Sequence, residues 1–462
     1  MWLCTCFSKQ KKCNVFLIHF IFMKMPYPKS PFSEDFNTEI LISSKEGVSE
    51  NYKINVVQIL EWLCTAPTIT SYRVNTLKAQ KEAVIELLQN KLNKMYGANI
   101  VNCQSTEKLD NTVLIKHLEV KHSSFVKYQN EIIVDTICAA AVLRGANIYA
   151  PGVLGMVSGT QVDDKVSIYA DLNKKCKKGL LNIFLDPKKI FIGNGIVKMT
   201  REQLFGENLN PTGVAIEVFE VISGCPPLGD FLPPNWALLQ NIPSIVCVQA
   251  LNPQKGELIL DMCASPGNKT THIAALVEND ATIIAIDKTP KKVEQLKNNC
   301  NNFGANVSVF QADSCKICSK DCSGLAPPFL PETFDRILLD APCSVLGKRP
   351  QFRNTSTEKM IKSYVPLQRK LFSTAVALLK PKGTMVYSTC TITLAENEGM
   401  VAWALKNFDC LELVKPEKGH FGGPGWCGTS LSESDKHKVL RFGPGQEMDS
   451  IGFFISCFVK KF

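Results

Sequence analysis

The chain has little that could cross a bilayer. The clearest apolar run, VFLIHFIFM (Val15–Met23), follows Lys9, Lys11 and Lys12 and so imitates the opening of a signal peptide. It falls well short of the ~20 apolar residues that a spanning helix needs, and no small-residue cleavage site follows it. A nonessential, disordered leader over residues 1–44 is the expectation, with no membrane partner. The G-x-G-x-x-G fingerprint of dinucleotide-binding folds is also missing. So is a disulfide framework: the 19 cysteines are odd in number, scattered and mostly set in apolar runs, as at Cys138, Cys247, Cys410 and Cys457. That usage fits a reduced compartment, and a cytoplasmic protein is expected. The densest group, DSCKICSKDCS, offers Cys315, Cys318 and Cys322 but no fourth ligand nearby, which argues against tetrahedral zinc. No internal repeat is evident.

What is present begins with a length of 462 residues, enough for two or three domains. Lys and Arg number 52 against 43 Asp and Glu, a net charge of +9 that suits a polyanionic partner without demanding one. Three zones follow the leader. Residues 45–128 read as an α/β lead-in, with an amphipathic stretch at Ala83–Leu92 and the segment SYRVNTLKAQ. Residues 129–222 alternate short β-type runs (NIYAPGV, KVSIYA, KKIFIGNGI, VAIEVFEV) with Gly, Asp and Asn, as in a small β-rich domain. Residues 223–462 alternate strands and helices at doubly wound α/β spacing. In that last zone a helix is expected over Leu367–Leu379, stopped by Pro381 and Gly383.

Four successive predicted strands of the third zone deliver an acid at or near their carboxyl ends: Asp261, Asp287, Asp313 and Asp340. Ligands of open parallel sheets bind beyond those ends. The loop Cys263-Ala264-Ser265-Pro266-Gly267-Asn268 after the first strand allows close backbone approach, and the helix from about Lys269 offers N-terminal amides. Asp287, followed by Lys288, is placed for ribose hydroxyls, and Asp313 for an adenine amine. One such carboxylate alone would merely cap a turn; four at equivalent strand ends describe a nucleoside-containing cofactor. With only Gly267 in the loop, S-adenosyl-L-methionine suits the site better than NAD, whose pyrophosphate needs more backbone access. On the same rim fall Cys343 (D-A-P-C) and Cys390 (S-T-C-T). Thr393-x-x-Glu396 reads as a capping box, predicting a helix immediately after Cys390 whose dipole would favour a thiolate.

CASPGNKTTHIAAL, AIDK, DAPCS, YSTCTITLAENE, the terminal R-F-x-P…D-S-I-G-F-F and the lead-in RVNTLKAQ resemble the Nop/Sun family of RNA cytosine-5 methyltransferases. The resemblance covers most of the chain after about residue 60. It implies a Rossmann-like class I methyltransferase domain in which Cys390 is the nucleophile and Cys343 assists release. It further implies that Asp340 bonds the pyrimidine edge and that Lys269 contacts the cofactor loop or target nucleotide. Two positions of the loop depart from the family pattern: Ser265 replaces alanine and Asn268 replaces glycine. Asn tolerates positive φ best after Gly, so the loop is expected to keep its shape. Val345 likewise replaces a small residue.

The β-rich zone resembles a PUA domain, an RNA-binding module, through VLRGANIYAPGV, VDDKVSIYADLNKKCKKG and FIGNGI. This places the chain nearest the PUA-containing branch of the family and implies a tRNA substrate, methylated in the acceptor stem by a monomeric enzyme that grips the CCA end. Lys174, Lys175, Lys177 and Lys178 form a cationic patch suited to phosphates, while Arg144 and Tyr149 are candidates for unpaired nucleotides. A lysine run by itself is more often a solvated loop; the PUA-like frame favours RNA contact. The altered cofactor loop motivates a second reading, a noncatalytic tRNA-binding descendant. A Rossmann dehydrogenase is disfavoured by the missing glycine fingerprint.

Overall fold

The computed structural model describes residues 27–44, 55–207, 210–419, 421–446 and 448–462, so Val15–Met23 lies outside the described residues. The expected disordered leader does not hold for residues 27–44. Phe32, Ile40 and Leu41 are buried against Ile59, Leu63, Leu346, Ile361 and Ile392. Leu41 also accepts a hydrogen bond from the Leu394 amide at 3.0 Å. Enough apolar surface is buried there to offset the entropy of ordering the segment.

The carboxyl-terminal zone forms a twisted sheet of β1 (Leu258–Asp261), β2 (Thr282–Asp287), β3 (Ser308–Gln311), β4 (Phe334–Asp340), β5 (Leu379–Thr389), β6 (Leu411–Val414), β7 (Leu440–Phe442) and β8 (Phe453–Lys460). Its order is β3-β2-β1-β4-β5-β8-β6, with β7 against β8. The first five are parallel, and β8 is antiparallel to both neighbours. Helices α1 (Ile242–Leu251), α2 (Asn268–Leu276) and α3 (Pro290–Phe303) cover one face; α4 (Glu358–Leu378) and α5 (Glu398–Asn407) cover the other. Strand alternation explains the two cores. Ile259, Ile283, Ala285 and Leu338 turn to the first face, while Leu260, Ile284, Ile286 and Leu339 turn to the second.

Three local expectations need correction. Helix α4 starts at Glu358 rather than Leu367, because Thr357 caps it by accepting from the Met360 amide, and Pro366 is tolerated inside. Strand β3 ends at Gln311, two residues before Asp313. Helix α5 starts at Glu398, not directly after Cys390: Asn397 makes no side-chain cap, and Thr393 donates to the Glu396 carboxylate (2.8 Å) in place of a backbone amide.

The lead-in sheet pairs Ile69–Val74 with Leu109–Lys116 on one side and with Ala237–Leu239 on the other. Val84, Leu88 and Leu92 of the helix Lys81–Tyr96 pack on it. Between those partners in sequence stands a six-stranded sheet in the order Ile148–Tyr149, Val214–Val221, Ile190–Val197, Lys165–Ala170, Glu131–Val134, Val153–Met156. Its entry and exit strands of chain meet: the Leu118 amide donates to Gly224 O at 3.0 Å. Gly224 has φ +69, and a Cβ there would lie 1.9 Å from Leu118 O, so only glycine allows this closure.

Candidate active site

The site grows from strand parity. Asp261, Asp340, Ser388 and Cys390 continue the alternation that turns Ile259, Leu338 and Val386 toward the α1–α3 face. There they meet the start of α2. Thr270 donates to Asp261 Oδ2 (2.7 Å), and Lys269 Nζ donates to Asp340 Oδ2 (2.7 Å). Ser388 Oγ holds the other oxygen of Asp340 at 2.7 Å. Burial opposes the Lys269 charge, but Asp340, by charge and hydrogen bond, together with the Cys247 and Cys390 sulfurs, drives its pKa up.

Cys343 and Cys390, 47 residues apart in sequence, bring their sulfurs to 3.5 Å. The Cys390 thiol is pushed down, first by the hydrogen bond from Cys343 and then by Lys269 and Lys348, against burial and Asp340. The Cys343 thiol is pushed well up, first by the same hydrogen bond, then by burial, Cys390 and Glu396. Of the two sulfurs, Cys390 is therefore the one biased toward the thiolate and Cys343 the one biased toward the thiol. This replaces the expected helix dipole: with α5 starting eight residues later, lysines supply the positive potential.

The Cys390 carbonyl is fixed by the Gly347 amide at 3.0 Å, and Gly347 O in turn accepts from Gly452 N at 2.8 Å. A Cβ on Gly347 would lie 1.9 Å from Gly452 O, so two glycines cross at this point. Nothing in the sequence indicates that these two glycine segments touch. Val345 sits at φ +58, an unusual place for a β-branched residue, beside Cys343.

Asp261 to Lys269 and Asp340 frame a cavity open to solvent, lined by Asp261, Cys263, Ala264, Ser265, Pro266, Asn268, Lys269 and Asp340 together with Ser244 of α1. The positive φ of the loop falls on Gly267 (+105), not on Asn268, which is the first residue of α2. The departure from the family pattern therefore needs no left-handed asparagine. A Cβ at Gly267 would meet Leu296 Cδ1 at 2.9 Å. Asp287 accepts from Ser265 N (3.2 Å) and Lys288 N (2.7 Å), tying the loop to β2, and Asp313 pairs with Lys288 at 3.0 Å. These three residues extend the rim but do not line the cavity.

Asp261 Oδ1 is buried without a partner. Burial, eased by Thr270, lifts its pKa to about 7. An acceptor held unsatisfied at the edge of an acid-lined cavity fits the cationic, nucleoside-bearing S-adenosylmethionine. Because the native state binds this proton more tightly than the unfolded chain, ligand-free stability should fall as pH rises from about 4 toward 7. Asp261→Asn should flatten that slope in thermal melts; an unchanged slope would remove Asp261 as its source.

The candidate nucleic-acid residues are dispersed over the six-stranded sheet. Tyr149 is 47% exposed, its hydroxyl donating to Asp230 at 3.0 Å. Lys177 and Lys178 are exposed, and Lys175 pairs with Asp186 at 3.3 Å while its side chain stays 66% exposed. Arg144 instead donates to Arg349 O (3.2 Å), bracing this sheet against the carboxyl-terminal zone. Sequence reasoning missed Arg349 itself, which binds Trp62 O (2.8 Å), Thr65 Oγ1 (2.7 Å) and Asp449. It also missed Arg73, whose buried guanidinium links Gln240 (2.7 Å) to Thr271 (3.0 Å) behind the cofactor loop.

The sheet order, with carboxylates at the β1–β4 switch point around a cavity, defines a class I S-adenosylmethionine-dependent methyltransferase fold. The family model described as 16S rRNA methyltransferase RsmB/F matches residues 248–459. The human tRNA (cytosine(72)-C(5))-methyltransferase NSUN6 is 42% identical over 430 residues, covering 87% of this chain and 90% of that protein. The Pyrococcus horikoshii tRNA (cytosine(72)-C(5))-methyltransferase is 31% identical over 83% of this chain and 87% of its own length. The crystal structure of NSun6 from Pyrococcus horikoshii with SFG superposes with a TM-score of 0.71 at 27% identity, covering 94% of this chain and all of that one. The chain belongs to the RsmB/F (Nop/Sun) family of RNA cytosine-5 methyltransferases, and it is an S-adenosylmethionine-dependent enzyme. Among the described residues no helix is long and apolar enough to cross a membrane.

Proposed function

We propose that the protein methylates carbon 5 of a cytosine in the tRNA acceptor stem, near the CCA end, through a transient adduct between Cys390 and carbon 6. The contact between the Cys343 and Cys390 sulfurs beside the Asp340–Lys269 pair carries this reading. The substrates named for the human and Pyrococcus horikoshii relatives support the choice of RNA and base. Carbon 5 of cytosine is a weak nucleophile. Addition of the Cys390 thiolate to carbon 6 breaks the ring's conjugation and makes carbon 5 enamine-like. S-adenosylmethionine supplies the methyl group. Asp340, oriented by Lys269 and Ser388, bonds the N3/N4 edge and stabilises the activated ring. Carbon 5 then loses its proton to solvent water, and β-elimination expels Cys390 as a thiolate. Cys343 assists by donating a hydrogen bond from its S–H to the departing sulfur while keeping its proton.

Cys263–Asn268, Lys269 and Asp340 would hold the cofactor near its methionine part, with Asp287, Lys288 and Asp313 along its nucleoside. The segment 129–222 is read as the PUA domain, with 45–128 as the lead-in and 223–462 as the catalytic domain of a cytoplasmic monomer. Exposed Lys175, Lys177 and Lys178 suit phosphates, and Tyr149 suits an unpaired base. Arg144 keeps exposed surface for RNA while one of its guanidinium nitrogens donates to Arg349 O.

The test incubates purified protein with labelled S-adenosylmethionine and tRNA transcripts, then sequences for 5-methylcytosine. Label in the acceptor stem, lost when CCA is removed, is expected. Lys177→Ala with Lys178→Ala should weaken tRNA binding and flatten its salt dependence by about two phosphate contacts. Tight tRNA binding with no methyl uptake would favour the noncatalytic reading.

A further inference from the structure

Glu396 has no exposed surface, and among the described residues no lysine, arginine or histidine pairs with it. Its carboxylate is met instead by neutral donors. Oε2 accepts from the Ser344 amide (3.0 Å) and Gln368 Nε2 (2.9 Å). Oε1 accepts from Ser344 Oγ and from Thr393 Oγ1 (2.8 Å). An amide N–H and a side-chain NH₂ can only donate, so four donors converging on two oxygens fit the ionised form. The network then reaches both reactive loops. Gln368 Nε2 also donates to Pro342 O (3.0 Å), and Ser344 Oγ lies 2.7 Å from Thr391 Oγ1. Pro342 and Ser344 flank Cys343, and Thr391 follows Cys390. One carboxylate thus joins the neighbours of both sulfurs.

We propose that Glu396 is the positioning residue that divides the labour between the two cysteines, clamping their loops in register while setting a negative charge on the Cys343 side. Its charge adds to the forces that hold Cys343 as a thiol, whereas Lys269 and Lys348 act on Cys390. The other ionisable groups facing Cys343 are Cys390, Tyr364 of α4 and Tyr387 of β5, and both tyrosines are themselves pushed up by burial. Tyr387 also donates its hydroxyl to Glu396 O at 2.7 Å, which locks the turn that carries the carboxylate. Burial pushes the Glu396 carboxyl up and the donors from Ser344, Thr393 and Gln368 pull it back, and among these groups it is the one carboxylate able to make the two thiols unequal from the Cys343 side. The inference rests on reading this pair as the reactive thiols.

The test reads thiol ionisation directly, without RNA or cofactor. Iodoacetamide is applied to the full chain over a pH series, and peptide mass spectrometry gives the labelling rate of Cys390 and Cys343 separately. The midpoint pH of each rate, rather than the rate itself, removes differences in access. The unmodified protein should show Cys390 titrating below Cys343. Glu396→Gln should narrow that gap by about one pH unit, while Glu396→Asp, which keeps the charge, should preserve it. Ser344→Ala removes one donor to Glu396 and the hydroxyl that lies against Thr391, loosening the clamp between the two loops, and should narrow the gap by a smaller amount. An unchanged gap in folded Glu396→Gln protein overturns the proposal. If that variant does not melt cooperatively, an unchanged gap in Ser344→Ala overturns it instead. Absence of 5-methylcytosine formation with the gap still responding would reject the proposed function and leave this assignment standing.

Discussion

Cys390→Ala is expected to lower methyl transfer by on the order of 10³-fold or more, because the remaining thiol, Cys343, is pushed away from the nucleophilic thiolate form. Cys343→Ala is expected to do something different: to accumulate a covalent protein–RNA complex that survives denaturing electrophoresis. The distinction follows from the resting pair. Cys390 is the sulfur pushed down, first by its hydrogen bond with Cys343 and then by lysines, and Cys343 is the one pushed up. Without Cys343 the adduct still forms, but the leaving sulfur has lost its hydrogen-bond donor. Adducts that build up in Cys390→Ala and require Cys343 would reverse the roles. Each change removes a single sulfur atom from a small side chain, so both variants should keep the native fold, and melts should move little.

The second large effect concerns the scaffold beneath Cys390. Arg441 and Glu398 are both fully buried and pair at 3.1 Å. The guanidinium stacks 3.6 Å from the Trp426 ring centre and donates to Ile392 O, two residues from the nucleophile. Arg441→Ala would strand Glu398, leaving its carboxylate the neutral Trp426 amide at 2.8 Å in place of a charged partner. A lost partner in a buried pair costs about 3–5 kcal/mol, to be seen as a fall in the denaturant midpoint. Replacing both residues, as Glu398→Leu with Arg441→Met, should recover much of that loss, since no charge is left buried. Equal destabilisation by the single and double changes would show that packing around Trp426, rather than charge, dominates.

The first four strands were legible because each writes a short apolar run with an acid at or just beyond its end, and parallel strands buried on both faces leave little room for any other pattern. The pairing of Lys269 with Asp340 was not legible. It depends on strand parity and on where α2 begins, which span 71 residues of sequence. Thr393 and Glu396 misled for a physical reason: the same two residue types can close a capping box or a side-chain network, and local sequence does not say which donors the fold will bring. Ser344 and Gln368 brought them. Pro366 hid the first turns of α4 because a proline reads as a stop, whereas here tertiary packing on Ile361, Gln368 and Leu371 outweighs one lost backbone bond. The buried arginines Arg73 and Arg349 left no signal, since an isolated arginine reads as surface.

The closure at Leu118 and Gly224 gives the molecule the architecture of a cassette. The six-stranded unit leaves and rejoins its host at a single backbone hydrogen bond, while the host's strands Ile69–Val74 and Ala237–Leu239 pair across the break. Such a unit could be excised and its ends spliced by a short turn, or exchanged for another module, without re-threading the host sheet. The exposed seam would include Phe352 and Ala66, which pack into the core of the cassette, and those two positions would have to turn polar for the trimmed protein to remain dispersed.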